Sequence, residues 1–417
     1  IQTMDENYDP LTYVVPNTVT VIKNGAFSSA GDDCTLTFEK GGDQDLTVEM
    51  GAFSATVLYA VHFPARLRTI GESAFQQAYC EEVTFEDTEA APSRLEEIGA
   101  AAFQDVTAIT AITFPRSLRR IGDNAFSPSW YMGDSVLAEI NLNEGLEEIG
   151  SYAFANDSGD GVPITTLTIP ASVKVIGNNA FAYATQLTSI TFAPDSRIEI
   201  IGNGVFRGSA ITAITLPATL AGSAYVTNGE EQEPNGQLGG FMFYGCSKLT
   251  EVVFEDGCPL ITSYGSSVFA RCTSYANVTF PKNVTSIGSW GSSNGTIKTI
   301  TIPAGFDEES FLALVQAMTA LTSFTLEKGN RNLYQDGESG AIYDANSHSR
   351  LLYYPSCYTA TSYTLLSTTR QVMGYAFYEN IHLEEIVLNA GLESIGEYAF
   401  ASPDNVTSAL KSITVPE

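Results

Sequence analysis

The sequence predicts a right-handed, predominantly β solenoid, with one parallel sheet along one side and turns with short 3₁₀ segments along the other. Three observations carry this expectation. A block of the form Ile-Gly-x-x-Ala-Phe recurs along the chain, as in Ile176-Gly177-Asn178-Asn179-Ala180-Phe181. A stretch of period-two alternation follows it, as in Leu187-Thr188-Ser189-Ile190-Thr191-Phe192. The period is 23 residues, kept from Phe103 to Phe126 and from Phe377 to Phe400, and other intervals lengthen by inserts between intact blocks. A unit this short buries its apolar face only by stacking on its neighbours.

Each part of the block has a physical task. Twelve phenylalanines hold its aromatic position (Phe27, Phe53, Phe75, Phe103, Phe126, Phe154, Phe181, Phe206, Phe243, Phe269, Phe377 and Phe400), which predicts one buried stack. The following apolar-polar-apolar triplet, such as Ile112-Thr113-Phe114, reads as a strand with one face inward and one toward water. Taking the last apolar residue of each triplet gives sixteen coils from Val15 to Val415. In eight coils proline comes next, as at Pro115 and Pro170, and ends the strand because it has no amide hydrogen for a ladder. The repeat glycine, as at Gly150 and Gly177, suits a corner that needs either positive φ or close backbone approach. At about 4.8 Å per coil the rod would be about 75 Å long.

The chain is read as a single solenoid over residues 1–417, with two departures. In the repeat 304–326, Asp307 to Met318 sets Phe311, Leu314, Val315 and Met318 at helical spacing behind acidic residues, which predicts an α-helix. Residues 327–362 read as a hairpin insert. Ser292 stands where a repeat phenylalanine belongs, so packing near Trp290 is irregular. Other inserts follow the strand (Asp87 to Ser93, Leu220 to Gly239) or the phenylalanine (Pro128 to Ser135, Asp157 to Pro163, Ser402 to Thr407), and long loops on a rigid scaffold are candidate recognition surfaces. The six cysteines lack the short paired spacing of zinc or redox sites. Cys246 and Cys272 each fall three residues after a repeat phenylalanine and read as small buried residues in adjacent coils, with a disulfide as the alternative.

Acidic residues outnumber basic ones by 48 to 20, a field that repels nucleic-acid phosphates and anionic lipid surfaces. No run approaches the roughly 18 apolar residues of a membrane helix. The chain opens at Ile1 rather than methionine, which a cleaved secretory leader would explain. Nothing in the sequence speaks to oligomeric state.

The repeated Ile-Gly-x-x-Ala-Phe block followed by Leu-x-x-Ile-x-Ile-Pro resembles the BspA-like class of bacterial leucine-rich repeats over nearly the whole chain. The stretches Asn332-Leu333-Tyr334, Gly340-Ala341-Ile342-Tyr343-Asp344 and Leu351-Leu352-Tyr353-Tyr354-Pro355 are similar to an insert that recurs in such proteins. The resemblance implies a leucine-rich-repeat-like right-handed solenoid, secreted or displayed on a bacterial surface. It further implies adhesion to host matrix or other cell-surface proteins, and it carries no catalytic residue and no cofactor.

Candidate binding residues follow from the exposed strand positions. Threonine holds the central outward position in eleven coils, including Thr113, Thr168, Thr191 and Thr215, although strand propensity and solubility alone also select it there. Its replacements His62, Asn141, Val253 and Val387 would mark local specificity, and Glu82, Glu139, Glu251 and Glu385, two residues before the threonine row, could pair with a basic protein. The alternative is a carbohydrate-binding module in which Tyr343, Tyr353, Tyr354 and Tyr358 stack on sugars, against which stands ordinary core packing. Enzymatic chemistry is not expected: His62, His348 and His382 lie in different repeat phases, and no phosphate loop, zinc motif or nucleophile elbow occurs. Asp157-Ser158-Gly159-Asp160-Gly161 offers two carboxylates but not the full ligand series of a calcium loop.

Overall fold

A computed structural model describes residues 11–30, 34–106, 108–128, 135–155, 161–224, 233–290, 297–318, 321–402 and 407–415. Sixteen short strands, one per coil from Leu11–Val15 to Ser412–Thr414, form a wide ladder in which every pairing is parallel. The period-two pattern is realised directly: Thr166–Ile169 reads exposed, buried, exposed, buried. Strands stop at the prolines. The carbonyls of Pro16, Pro64, Pro115, Pro170, Pro217, Pro281 and Pro303 then accept the amide three residues on, which turns the chain away from the ladder.

The opposite side is a second parallel ladder rather than a row of 3₁₀ turns. Its strands are mostly two residues long and directly precede the repeat glycine. Those from Val21–Ile22 to Ile200–Ile201 make one unbroken eight-stranded sheet, and Gln237–Leu238, Ser263–Tyr264 and Ser286–Ile287 make a further three-stranded one. Coils stacked at strand spacing let any extended pair of residues hydrogen-bond to its neighbour, so a two-residue segment that reads as turn becomes sheet. Among the described residues, 3₁₀ geometry is confined to Glu255–Gly257.

The repeat glycine is there for close approach. A Cβ on Gly150 would stand 2.5 Å from the carbonyl carbon of Gly122, and one on Gly177 would stand 2.5 Å from the Ser151 nitrogen. Left-handed backbone falls two residues later instead, at Ser73, Ala101, Asn124, Tyr152 and Asn179, with φ between 53° and 56°.

The phenylalanines form two columns. Phe27 to Phe269 stack face to face through ten rings, with centroids 4.7 to 6.5 Å apart and planes within 19°. The column ends on Trp290, tilted by 40°, and resumes as Tyr354, Phe377 and Phe400. Ser292, where the expected irregularity was placed, lies outside the described residues. Between the columns the helix Glu308–Val315 replaces the turn and, with the residues just after it, buries Phe311, Leu314, Val315 and Met318. Asp307 caps it, with Oδ1 accepting from the Ser310 amide at 2.7 Å.

The insert is a three-stranded element. Leu333–Gln335 and Arg350–Tyr353 both pair antiparallel with Ile342–Asp344, and Arg350–Tyr353 pairs parallel with Gln371–Val372, so its last strand joins the narrow ladder. All six cysteines are free thiols. The thiols of Cys246 and Cys272 donate to the carbonyls of Phe206 and Phe243, at 3.1 and 2.9 Å, which accounts for both without a disulfide.

Candidate functional site

The wide ladder presents its outer residues as rows. Thr168 lies beside Thr191 and Thr215 beside Val253; Thr113 lies beside Asn141. Neighbouring polar groups satisfy one another. His62 Nδ1 lies 2.7 Å from Thr84 Oγ1, and Asn141 Nδ2 donates to Thr113 Oγ1 at 3.1 Å and to Glu139 Oε1 at 2.8 Å. The row is therefore flat, hydroxylated and largely self-satisfied.

Glu82, Glu139, Glu251 and Glu385 are all exposed on this face. Register sets them against small residues: Glu82 beside Ala60, Glu139 beside Ala111, Glu251 beside Ala213, and Glu385 between Ser362 and Ser412. None of the four forms an ion pair among the described residues. Several basic residues are engaged elsewhere, in coil-to-coil pairs along the narrow ladder: Arg68 with Glu96 at 2.8 Å, Arg119 with Glu147 at 2.6 Å, Lys174 with Glu147 at 2.8 Å, and Arg120 between Glu97 and Glu148 at 2.8 and 3.3 Å. The Lys174 and Arg119 hydrogen bonds hold the Glu147 carboxyl below its ordinary range. The four wide-face carboxylates thus stand without an ion pair among the described residues, while Glu96, Glu97, Glu147 and Glu148 on the narrow side each have one.

Pairing of the wide strands lapses at five places: between Tyr79–Phe85 and Ala111–Thr113, Glu139–Asn141 and Thr166–Ile169, Ser189–Phe192 and Ala213–Leu216, Glu251–Phe254 and Asn277–Val278, and Ser323–Leu326 and Ser362–Thr364. Grooves open at the third and fourth lapses. One, of about 660 Å³, is lined by Thr191, Asp195, Thr215, Glu251, Val253 and Glu255 among others. The second, of about 560 Å³, shares Glu251 and Val253 and reaches Asn277 and Thr279. Val253, 42% exposed, is an apolar spot between carboxylates. Of the residues expected from sequence, Thr191, Thr215, Glu251 and Val253 are brought together here. His62, Glu82, Thr113, Glu139, Asn141, Thr168 and Glu385 are spread along the same face in other coils.

The sugar-stacking expectation is overturned. Tyr343, Tyr353 and Tyr354 are at most 1% exposed, so their ring faces are covered by protein. Tyr343 and Tyr363 join hydroxyls at 2.5 Å, Tyr353 Oη donates to the Met318 carbonyl, and Tyr354 stacks on Phe377. Only Tyr358 is half-buried. A signal for this was present: Tyr354 stands one full period of 23 residues before Phe377 and takes the column position. Among the described residues no three His, Cys, Asp or Glu side chains cluster as metal ligands. Residues 156–160, which hold most of the Asp157 to Gly161 stretch, lie outside the described residues.

A family model for the BspA type leucine rich repeat region matches residues 7–132, 78–158, 96–225, 233–336 and 352–417, in six copies. The chain belongs to the BspA-type leucine-rich-repeat family. That model describes a repeat scaffold and not a catalytic domain. Among solved structures, a leucine-rich repeat protein from Bacteroides ovatus is 20% identical over 86% of this BspA-type chain and 92% of its own, with a TM-score of 0.54. One from Eubacterium ventriosum is 19% identical over 69% and 78%, with a TM-score of 0.37. A leucine rich cell surface protein from Faecalibacterium prausnitzii is 18% identical over 90% and 66%, with a TM-score of 0.25. The Bacteroides ovatus match shows the solenoid fold. No curated protein matches the sequence. Among the described residues, no helix of the BspA-type chain is long and apolar enough to cross a membrane.

Proposed function

We propose that this BspA-type protein is an extracellular or cell-surface scaffold of a bacterium that binds a basic host-matrix or other cell-surface protein on its wide face. The observation that carries this reading is the division of charge: Arg68, Arg119, Arg120 and Lys174 are paired along the narrow ladder, while Glu82, Glu139, Glu251 and Glu385 are exposed on the wide face and form no ion pair among the described residues. A surface of uncompensated charge steers an oppositely charged partner and sets its orientation. The grooves that share Glu251 and Val253 give that partner an anchor, with an apolar contact flanked by countercharge. The location outside the cell rests on the family's usual setting.

Immobilised matrix proteins and glycans, probed with the purified chain at low and physiological salt, test the reading. Saturable protein binding that weakens as salt rises is expected. Glu82→Lys combined with Glu251→Lys should weaken it at least about tenfold, whereas Lys174→Glu on the narrow ladder should not. Salt-independent binding, or binding to glycans alone, would overturn it.

A further inference from the structure

The last lapse of the wide ladder is of a different kind. Between Leu326 and Ser362 the chain leaves the coil to build the hairpin insert, and no strand pairing joins the two sides. The turn at 336–340 stands beside Ser362–Thr364, and together they enclose a pocket of about 730 Å³. That size suits a small molecule or a single side chain.

The chemistry of the lining is one-sided. It includes the carboxylates of Asp336 and Glu338 and the phenols of Tyr354, Tyr358 and Tyr363, and no lysine or arginine. Asp336 accepts from the Ser339 amide and hydroxyl, both at Oδ2. Its Oδ1 has no partner among the described residues, nor does Glu338. Tyr358 Oη already accepts from Gln335 Nε2 at 2.8 Å. Tyr354 is 1% exposed, and its hydroxyl has no hydrogen-bond partner. Buried polar groups are nearly always paired, so an orphaned hydroxyl at a pocket points to a ligand that completes it.

A ligand that satisfies these groups donates hydrogen bonds, carries positive charge and offers an apolar stem to the half-buried Tyr358 ring. We infer that the pocket binds an alkylammonium group, supplied either by a lysine side chain of a peptide or by a free aliphatic amine. The carboxylates provide countercharge, and the ammonium donates to Asp336 Oδ1 and Tyr354 Oη. A sugar is a poorer fit. Tyr354 and Tyr363 are buried, and the Tyr358 ring lies so close to Gly340 that a Cβ there would stand 2.2 Å from its Cε2. This site shares no residue with the wide-face grooves, so it stands or falls independently of them.

Isothermal titration calorimetry of the full chain with cadaverine, Nα-acetyl-lysine amide, 1-pentanol and mannose tests the inference. Saturable binding of either amine is expected, with the alcohol and the sugar at least about tenfold weaker. The stronger amine identifies the source, peptide lysine or free amine. Tyr354→Phe removes only the orphaned hydroxyl, so it should leave the thermal midpoint no lower than that of the parent and weaken amine binding about tenfold. Asp336→Asn with Glu338→Gln should do the same through charge, and if that variant misfolds the Tyr354→Phe result decides. Pentanol binding as tightly as the amines, binding of mannose alone, no saturable amine binding, or unchanged amine affinity in Tyr354→Phe would each overturn the proposal.

Discussion

At Gly150 the neighbouring coil leaves no room for a methyl group, because the atom it would meet at 2.5 Å is backbone and not a flexible side chain. Gly150→Ala should therefore cost more than about 2 kcal/mol in urea unfolding followed by circular dichroism. Gly51→Ala gives the contrast. Its φ of +61° is strained for alanine but nothing lies within 4 Å, and Ala101 holds the same backbone at the matching place in another coil. About 1 kcal/mol is expected there. The thiols make a second test at this scale. Burial pushes Cys80 and Cys258 up to about 12 and Cys246 up to about 11. At pH 8 these three should resist iodoacetamide in the native protein and react freely in urea, so rapid native labelling of Cys246 would contradict its place under the Phe206 carbonyl. Single residues were legible where the repeat assigns them. Tyr354 was not, because a tyrosine-rich insert reads as surface until the period is carried through it.

The aromatic column is an element in its own right. Phe154 lies between Phe126 and Phe181 at 5.3 and 5.4 Å, fully buried, and Phe154→Ala should cost about 3 to 5 kcal/mol because neither flanking ring can close the gap without leaving its own coil. The helix that interrupts the column depends on its cap. Asp307→Ala should cost about 1 kcal/mol and raise hydrogen exchange first at Ser310. Legibility at this scale followed side-chain burial. The wide strands and the helix announce themselves through apolar spacing, as Ile112 and Phe114 or Phe311, Leu314 and Val315 do. The narrow ladder does not, since two residues such as Arg120 and Ile121 carry no period, and its regularity comes from backbone hydrogen bonds that any sequence could make. The lapses in the wide ladder were equally hidden. Inserts do not mark them: Ala213–Leu216 and Glu251–Phe254 stay paired across the insert 220–239, while pairing lapses before Ala213 with no insert to announce it.

Over the whole molecule, the buried phenols couple stability to alkaline pH. Burial pushes Tyr275 up to about 12, and raises Tyr264, Tyr353 and Tyr363 as well. The folded protein therefore keeps these protons where the unfolded chain, titrating near 10, loses them. That contribution is complete below about pH 10 and disappears as pH climbs toward 12. The last part of the tyrosinate absorbance should rise together with loss of ellipticity in that window, and ionisation of all 20 tyrosines while the fold persists would show these rings to be open to water. The unbroken eight-stranded narrow ladder has a mechanical consequence as well. One flank of the rod is tied coil to coil at fixed length from Val21–Ile22 to Ile200–Ile201, whereas the other flank is divided into separate sheets. Bending such a body moves its neutral axis to the tied flank, so curvature is expressed almost wholly as opening and closing of the divided one. A long partner laid along that flank would feel each separate sheet as a tooth whose distance from the next changes with load.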